Sequence, residues 1–430
     1  MKTLRPLSWV RSQAAGLLVL LAAGVALPCA GAAKTWDVEP GGTNLADALV
    51  LAAPGDRLNL RAGIHRGPII VGTSVEMTGT PGAIIEGDGN GHVITVDAPD
   101  VTLRGLDVRK SGGLLETEDS GIFVTRKGDR ARIEGNTLTG NLIGIYLKGP
   151  EDARVSGNWV HGREDLRLNE RGNGIHLWNT PGSVIEDNGV SGGRDGIFVT
   201  TSKRNVFRNN RFRNVRFAVH YMYTNDSEVS GNVSVGNHLG YAIMYSSRIR
   251  VTGNRSEGDR DHGILLNYAN RSEFSGNSVT GGAKKCVFIY NANRNSFRDN
   301  RFAGCGIGIH FTAGSERNAI SGNAIIANRT QVKYVGSRFV EWSEGGRGNY
   351  WSDNLGFDLD GNGRADQPYR PNDMVDQLVW RHPSAKLLLT SPAVQMLRWA
   401  QSALPALFPG GVTDSAPLMH PPAVPAHEEK

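Results

Sequence analysis

The sequence is poor in several features that would narrow its chemistry at once. Three cysteines in 430 residues exclude a disulfide-framework protein and a multi-cysteine zinc or iron–sulfur protein. Nineteen prolines are an ordinary share, which excludes a collagen-like or Pro/Gly low-complexity chain. Beyond the first thirty residues no apolar run reaches the 18 or so needed for a membrane-spanning helix. No Ser-His-Asp order, phosphate loop or nucleotide fingerprint is present. Hydrophobic residues at 39% and charged residues at 21% still suffice for a core and exclude wholesale disorder. What the chain has in excess is glycine. It has 55 glycines, nearly twice the usual share of about 7%, so the fold needs many positive-φ or side-chain-free positions.

Lys2, Arg5 and Arg11 precede an apolar run from Ala14 to Leu27, and Ala30-Gly31-Ala32 is an A-x-A cleavage pattern. Residues 1–32 therefore read as a secretory signal peptide, too short and wrongly flanked for a stable span. Cys29 raises the question of lipidation, but Pro28 before it fits a lipidation box poorly. Removing this segment takes three cations and no acids from a formal charge of +5. The basicity is largely targeting sequence, and nucleic-acid binding loses its main support. The remainder is expected to be exported and soluble. Cys286 and Cys305 stay in it and are free to pair in an oxidising compartment, although nothing in the sequence fixes their distance.

Internal repetition sets the architecture. Asn recurs after Gly, Asp or Asn at Asn136, Asn158, Asn188, Asn210, Asn232, Asn254, Asn277, Asn300 and Asn323, in steps of 22 or 23 with a single step of 30. The long step contains a polar insertion, Arg163 to Asn173, which reads as a loop bulging from one rung. A second motif, small–aliphatic–x–hydrophobic, keeps the same beat from Gly121-Ile122-Phe123-Val124 to Gly308-Ile309-His310-Phe311. Short period-2 apolar pairs between Gly/Asn turns predict three strands and three turns per repeat. That is one rung of a right-handed parallel β-helix, all-β, with about 22 residues per rung stacked about 4.8 Å apart.

The flanks depart from the ruler. Thr43 or Asn44 starts a short amphipathic helix, Leu45 to Ala52, expected to cap the solenoid's open end. Ser391 to Leu407 reads as one amphipathic helix. The expected organisation is a signal peptide at 1–32, an N-terminal cap at 33–56, the β-helix at 57–336, a Trp/Asp/Gly-rich capping segment at 337–381, a partner-docking helix at 382–409 and a disordered tail at 410–430.

Three groups of residues carry candidate chemistry. In the second motif the third residue points outward, so stacking makes a column: Phe123, Tyr146, His176, Phe198, His220, Met244, Leu265, Phe288 and His310. Such a face is covered by another chain or binds a ligand. Within it His220, Met222 and Met244 offer an imidazole and two thioethers, a set suited to Cu(I). The alternative is that they pack beneath a loop or partner. The run from Asp358 to Asp366 matches the first nine positions of an EF-hand-like calcium loop, with Asp358, Asp360, Asn362 and Asp366 as candidate ligands. Tyr369 stands where the twelfth-position Glu belongs, so the loop either takes calcium with help from Asp373 or Asp376 or is a metal-free Asp/Asn/Gly turn. Asp119, Asp195 and Asp261, with Arg194, Arg260 and His262, are conceivable acid–base pairs of a polysaccharide lyase, hydrolase or epimerase. Asp before Gly is equally a turn former.

Taken whole, the chain resembles the periplasmic nitrous oxide reductase maturation family NosD. The likeness runs from Leu45-Ala46-Asp47-Ala48-Leu49 and Ile85-Glu86-Gly87-Asp88-Gly89, through the rungs, to Gly348-Asn349-Tyr350-Trp351-Ser352-Asp353 and the C-terminal helix after Ser391. The resemblance implies a periplasmic, non-enzymatic part in assembling the reductase's copper sites. It also implies docking on an ABC transporter of an ATPase and a membrane subunit, NosF and NosY, and exchange with the copper chaperone NosL and the apo-reductase. No cofactor is required by it, and copper would be transient; structural calcium is the reading of the acidic loop alone. Contact with the membrane would run only through the transporter. The apolar C-terminal positions Met396, Leu397, Trp399, Leu404, Leu407 and Phe408 are expected to carry the docking. The rival reading is an exported polysaccharide-binding or polysaccharide-modifying protein.

Overall fold

A computed structural model describes residues 33–42, 44–336, 338–389, 391–404 and 410–423. The expected signal peptide, Leu407 and Phe408 lie outside these residues. The rest is a right-handed parallel β-helix with three long sheets, of 13, 12 and 13 strands. We call them sheet 1 (from Thr35–Val38 to Ala319–Ser321), sheet 2 (from Ile69–Val71 to Thr330–Val335) and sheet 3 (from Gly63–Arg66 to Tyr350–Trp351). Each rung visits sheet 1, sheet 3 and sheet 2 in turn, as Arg132–Glu134, Thr137–Thr139 and Ile143–Lys148 do.

Alternation places one face of every strand inside. Ile122 and Val124 are buried around outward Phe123, and Val219 and Tyr221 around His220. The interior is one continuous apolar column, widened in its middle by Phe207, Phe212, Phe274, Phe297 and Phe302. Burying such aromatics supplies the main driving force, at roughly 25 cal/mol per Å² of apolar surface.

The recurring Asn forms a buried ladder at the turn between sheets 1 and 3. Asn232 Nδ2 donates to Asn254 Oδ1 at 2.9 Å and to the Phe207 carbonyl at 2.9 Å, while its own Oδ1 accepts from Asn210 N and Nδ2, each at 2.9 Å. Every turn amide is thereby satisfied without water. The residue before each ladder Asn from Asn136 to Asn323 is held at positive φ, as Gly231 is at 63° and Asp299 at 54°. That conformation admits Gly, Asn and Asp most readily, which is why those three residues precede the repeat.

The helix α1 (Asn44–Leu51) covers the first rungs with Leu45 and Ala48 buried, as expected of a cap. Two strands belong to the solenoid that the sequence pattern left aside: Thr35–Val38 inside the expected cap, and Tyr350–Trp351 inside the expected capping segment. The far end closes differently from expectation. Residues 410–423 do not form a disordered tail. Gly411–Thr413 pairs in parallel with Phe339–Glu341, and Asp414 is fully buried. The Asp414 carboxylate accepts from Asn349 N at 2.7 Å and Trp351 Nε1 at 2.8 Å, so it ends the Asn ladder. Trp342, Trp351 and Tyr369 stack over this end. The helices α2 (Met374–Arg381) and α3 (Pro392–Ala403) enclose a small separate core of Val375, Val379 and Val394. Asp373 and Asp376 form the reciprocal N-cap of α2, so they are engaged there rather than at the acidic loop. No described helix is long and apolar enough to cross a membrane.

Candidate metal-binding face

The outward face of sheet 2 is the chemically distinctive surface. Strand register aligns Phe123, Tyr146, His176, Phe198, His220, Ala242, Leu265, Phe288, His310 and Lys333 in one column. The expected place of Met244 in that column is a misregister. Ala242 is the rung neighbour of His220, and Met244 pairs with Met222 two positions along. The two thioethers therefore sit side by side on adjacent strands, with His220 two residues before Met222 on the same outward face. The three candidate donors are together, though in two columns rather than one.

His220 is oriented from behind. Its Nδ1 lies 2.9 Å from Asp195 Oδ2, and the same carboxylate takes a two-pronged contact from Arg216, with distances of 2.8 and 2.7 Å. Burial works to raise the fully enclosed Asp195 carboxyl, but its hydrogen bonds to His220 and Arg216 prevail and hold it below the usual carboxylate range. An ionised Asp195 accepts the Nδ1 proton and leaves the Nε2 lone pair available. This carboxylate–imidazole pairing is how a metal-ligating histidine is commonly fixed. Nε2 with two thioether sulfurs is a soft donor set that fits Cu(I).

From Phe123 to His220, and again at Phe288 and His310, the column is ring against ring. His92 stacks on Phe123 at 4.0 Å, Tyr146 on His176 at 4.3 Å, and Phe288 on His310 at 4.8 Å. Burial lowers His176 to about 4 and, together with Lys285 and Lys333, lowers His310 to about 4. Both rings are neutral at pH 7. Loop residue Glu118 reaches Lys148 at 2.8 Å; Tyr146 and His176 are buried, while Phe123, Phe198, His220 and Met222 are half-buried.

The three acids considered for catalysis are engaged separately. Asp119 holds its own loop through Leu114 N and Thr117 Oγ1, Asp195 orients His220, and Asp261 binds Lys284 at 2.9 Å and faces His262 at 3.4 Å. The acidic loop brings Asp358, Asp360 and Asp366 oxygens within 4.8 Å of one another. Much of their capacity is spent on the loop's own amides: Asp358 accepts from Asn362 N and Gly363 N, and Asp366 from Leu359 N. Asn362 Oδ1 accepts from Arg364 N. Tyr369 turns away and donates to Asp353 at 2.7 Å. On α3, Met396 and Trp399 are exposed, at 70% and 71%, as are Leu397 and Leu404. Cys286 and Cys305 form a disulfide with Cα atoms 5.7 Å apart. Sequence reasoning missed the role of Asp195 behind His220 and the Arg216 clamp; the only signal was an Asp one rung before a His.

A solenoid carrying a soft-donor cluster on one long face has the makings of a repeat-built binding protein. The family model described as "Periplasmic copper-binding protein (NosD)" matches residues 156–356. A "Probable ABC transporter binding protein NosD" from Stutzerimonas stutzeri is 40% identical over 426 residues, covering 96% of this chain and 95% of that protein. A relative of the same description from Pseudomonas aeruginosa is 42% identical, covering 96% of both chains. The chain belongs to the NosD family. Among solved structures, a DFA-IIIase from Arthrobacter chlorophenolicus covers 71% of this chain and 99% of its own at 15% identity and a TM-score of 0.56. The A-module of Azotobacter vinelandii mannuronan C-5 epimerase AlgE6 covers 68% of this chain and 90% of its own at 15% identity and a TM-score of 0.52. These likenesses establish the β-helix fold.

Proposed function

We propose that this protein is a non-enzymatic periplasmic accessory factor that hands copper to the apo form of nitrous oxide reductase while docked on an ABC transporter. In this reading NosF and NosY form the transporter, NosL supplies copper, and α3 makes the membrane-side contact through Met396, Leu397, Trp399 and Leu404. The family's copper-binding description and the relatives' transporter-binding names support it. The observation that carries it is the His220–Met222–Met244 cluster with Asp195 fixing the imidazole. Copper is cargo here. Two thioethers and one imidazole hold Cu(I) without stabilising Cu(II), which suits transfer rather than storage.

The test is a competition against a chromogenic Cu(I) chelator. His220→Ala with Met244→Ala is expected to weaken Cu(I) binding, and Asp195→Asn to weaken it about 10- to 100-fold through the lost orientation. Unchanged affinity in both removes the site. The polysaccharide reading is met by incubating the protein with alginate- or pectin-like chains; release of unsaturated sugar would overturn the non-enzymatic assignment. The acidic loop enters this reading only as a structural calcium site at Asp358, Asp360, Asn362 and Asp366. A melting temperature raised by calcium and unmoved by Asp358→Asn would count against it.

A further inference from the structure

At the corner where the chain leaves sheet 2 for sheet 1, most of these rungs hold two positions at positive φ, and the occupants of the second change character along the solenoid. Arg204, Asp226, Arg248, Arg271, Arg294 and Arg317 follow one another there, with φ between 52° and 59°. Hydrogen bonds from Arg248 N to Asn270 O, Arg271 N to Asn293 O and Arg294 N to Glu316 O, each 3.0 Å, keep them one rung apart. The early part of the column neutralises itself, since Asp226 and Arg248 pair side by side with a 2.8 Å contact. The last three rungs do not. The guanidinium groups of Arg271, Arg294 and Arg317 make no hydrogen bond or ion pair among the described residues, and all three are exposed. The acid beside them, Glu316, is engaged by Arg338 at 2.6 Å. These arginines line an open groove of about 610 Å³ together with Ser247, Asn270 and Asn293.

Stacking like charges on neighbouring strands is unfavourable, and a left-handed backbone is a poor place for a long side chain. A column that could continue the Asp–Arg alternation instead presents three cations in a line. At the start of the same turns, Tyr245 and Tyr268 stack at 5.2 Å and are partly exposed. Tyr and Arg are the side chains that most often dominate protein–protein interfaces.

We infer that this corner docks an acidic helix of a protein partner, one carboxylate per helical turn against one arginine per rung. Spacing selects the helix. A helical turn advances about 5.4 Å against a rung of about 4.8 Å, so over three arginines the two rows drift by only about 1 Å. Same-face carboxylates on an extended strand lie about 6.7 Å apart and drift by nearly 4 Å. Tyr245 is sandwiched between Tyr223 and Tyr268, so both of its ring faces are taken and it offers only its edge and hydroxyl. The site lies on a different part of the rung from the His220 face and does not depend on copper.

The experiment uses the full exported chain and two fluorescent, Ala-based helical peptides of equal composition and about 20 residues, long enough to be helical. One carries Glu along a single face; in the other the same Glu residues are scattered around the helix. Anisotropy titrations are expected to show the striped peptide binding about tenfold tighter, with binding falling as salt rises. Arg271→Ser with Arg294→Ser is expected to remove about tenfold or more of that affinity, while Arg213→Ser on sheet 3 leaves it unchanged. Equal binding of the two peptides, no binding of either, no loss in the double variant, or displacement of the peptide by polygalacturonate at equal charge each overturns the inference.

Discussion

Asp414 shows how one residue can decide the state of an entire end. Its carboxylate receives Asn349 N, Trp351 Nε1 and, through the other oxygen, Ala416 N. Burial raises its pKa, and the hydrogen bonds only partly offset this. The folded value lies above the ordinary 3.8, so the stabilising contribution is complete below about pH 4 and is lost as pH rises through the raised value. Asp414→Asn keeps an acceptor for Asn349 and Trp351 and extends the amide ladder by one step. It is expected to abolish that loss, giving a melting temperature that no longer falls with pH over this window. Asp414→Ala leaves the buried donors unpaired and is expected to cost about 1–3 kcal/mol at every pH. Urea titrations of the three proteins at pH 4 and pH 7 distinguish these outcomes; equal stability of the Ala and Asn variants would remove the ladder-cap role. None of this was visible in the sequence, where Asp414 sits in a Pro-rich stretch with no period to place it.

At the scale of the strand and its turn, sequence and structure agree where a spacing is enforced by a hydrogen bond. The Asn steps of 22 and 23 are legible because each ladder Asn must meet the next: Asn277 Nδ2 reaches Asn300 Oδ1 at 2.9 Å. Asn232→Ala in mid-ladder removes the buried acceptor of Asn210 N, one of the two acceptors of Asn210 Nδ2 and the side-chain donor to the Phe207 carbonyl. The expected loss is about 2 kcal/mol or more by chemical denaturation, whereas Ser230→Ala beside it, half-buried, should cost well under 1 kcal/mol. Similar losses for the two would mean that the ladder contributes no more than ordinary surface contacts. Strand register was less legible. Gly240-Tyr241-Ala242-Ile243 puts an aromatic where the second motif has an aliphatic residue, Ala242-Ile243-Met244-Tyr245 satisfies it in full, and a slip of two residues preserves which face is inside. Hydrophobic pattern cannot separate them. The 22-residue ruler can, because it runs from His220 to Ala242, and the ladder bonds beneath it enforce that choice. The His220–Asp195 contact was illegible for a related reason: it crosses between adjacent rungs and is fixed by register, not by any local motif.

The whole molecule is a one-dimensional stack, and its stability depends on how its ends are closed. Interior rungs are held on both sides; a terminal rung presents unpaired backbone and apolar side chains to water unless something covers it. α1 covers the first end, while the second is closed by a segment distant in sequence, Gly411–Thr413 with Asp414, laid against Phe339–Glu341 and the Trp342–Trp351 stack. Between the capped rung and this returning strand the chain detours through α2 and α3, whose own small core is separate from that of the solenoid. The two C-terminal parts should therefore fail independently. Truncation after Leu404 removes the closing strand and opens Trp342 and Trp351, each 1% exposed in the intact chain. Re-exposing part of two Trp side chains, at about 25 cal/mol per Å², is expected to lower the melting temperature by about 5 °C or more and to raise binding of a hydrophobic dye. Met396→Ser with Leu404→Ser changes side chains that are 70% and 58% exposed, so the melting temperature should stay within about 1 °C while co-purification with the membrane subunit of the proposed transporter is lost. If the truncated chain melts like the intact one, the end does not need its returning strand; if the double-serine variant still co-purifies, α3 is not the docking element. Only a chain in which the first variant loses stability and the second loses its partner has its cap and its docking helix built as two separable devices on one solenoid.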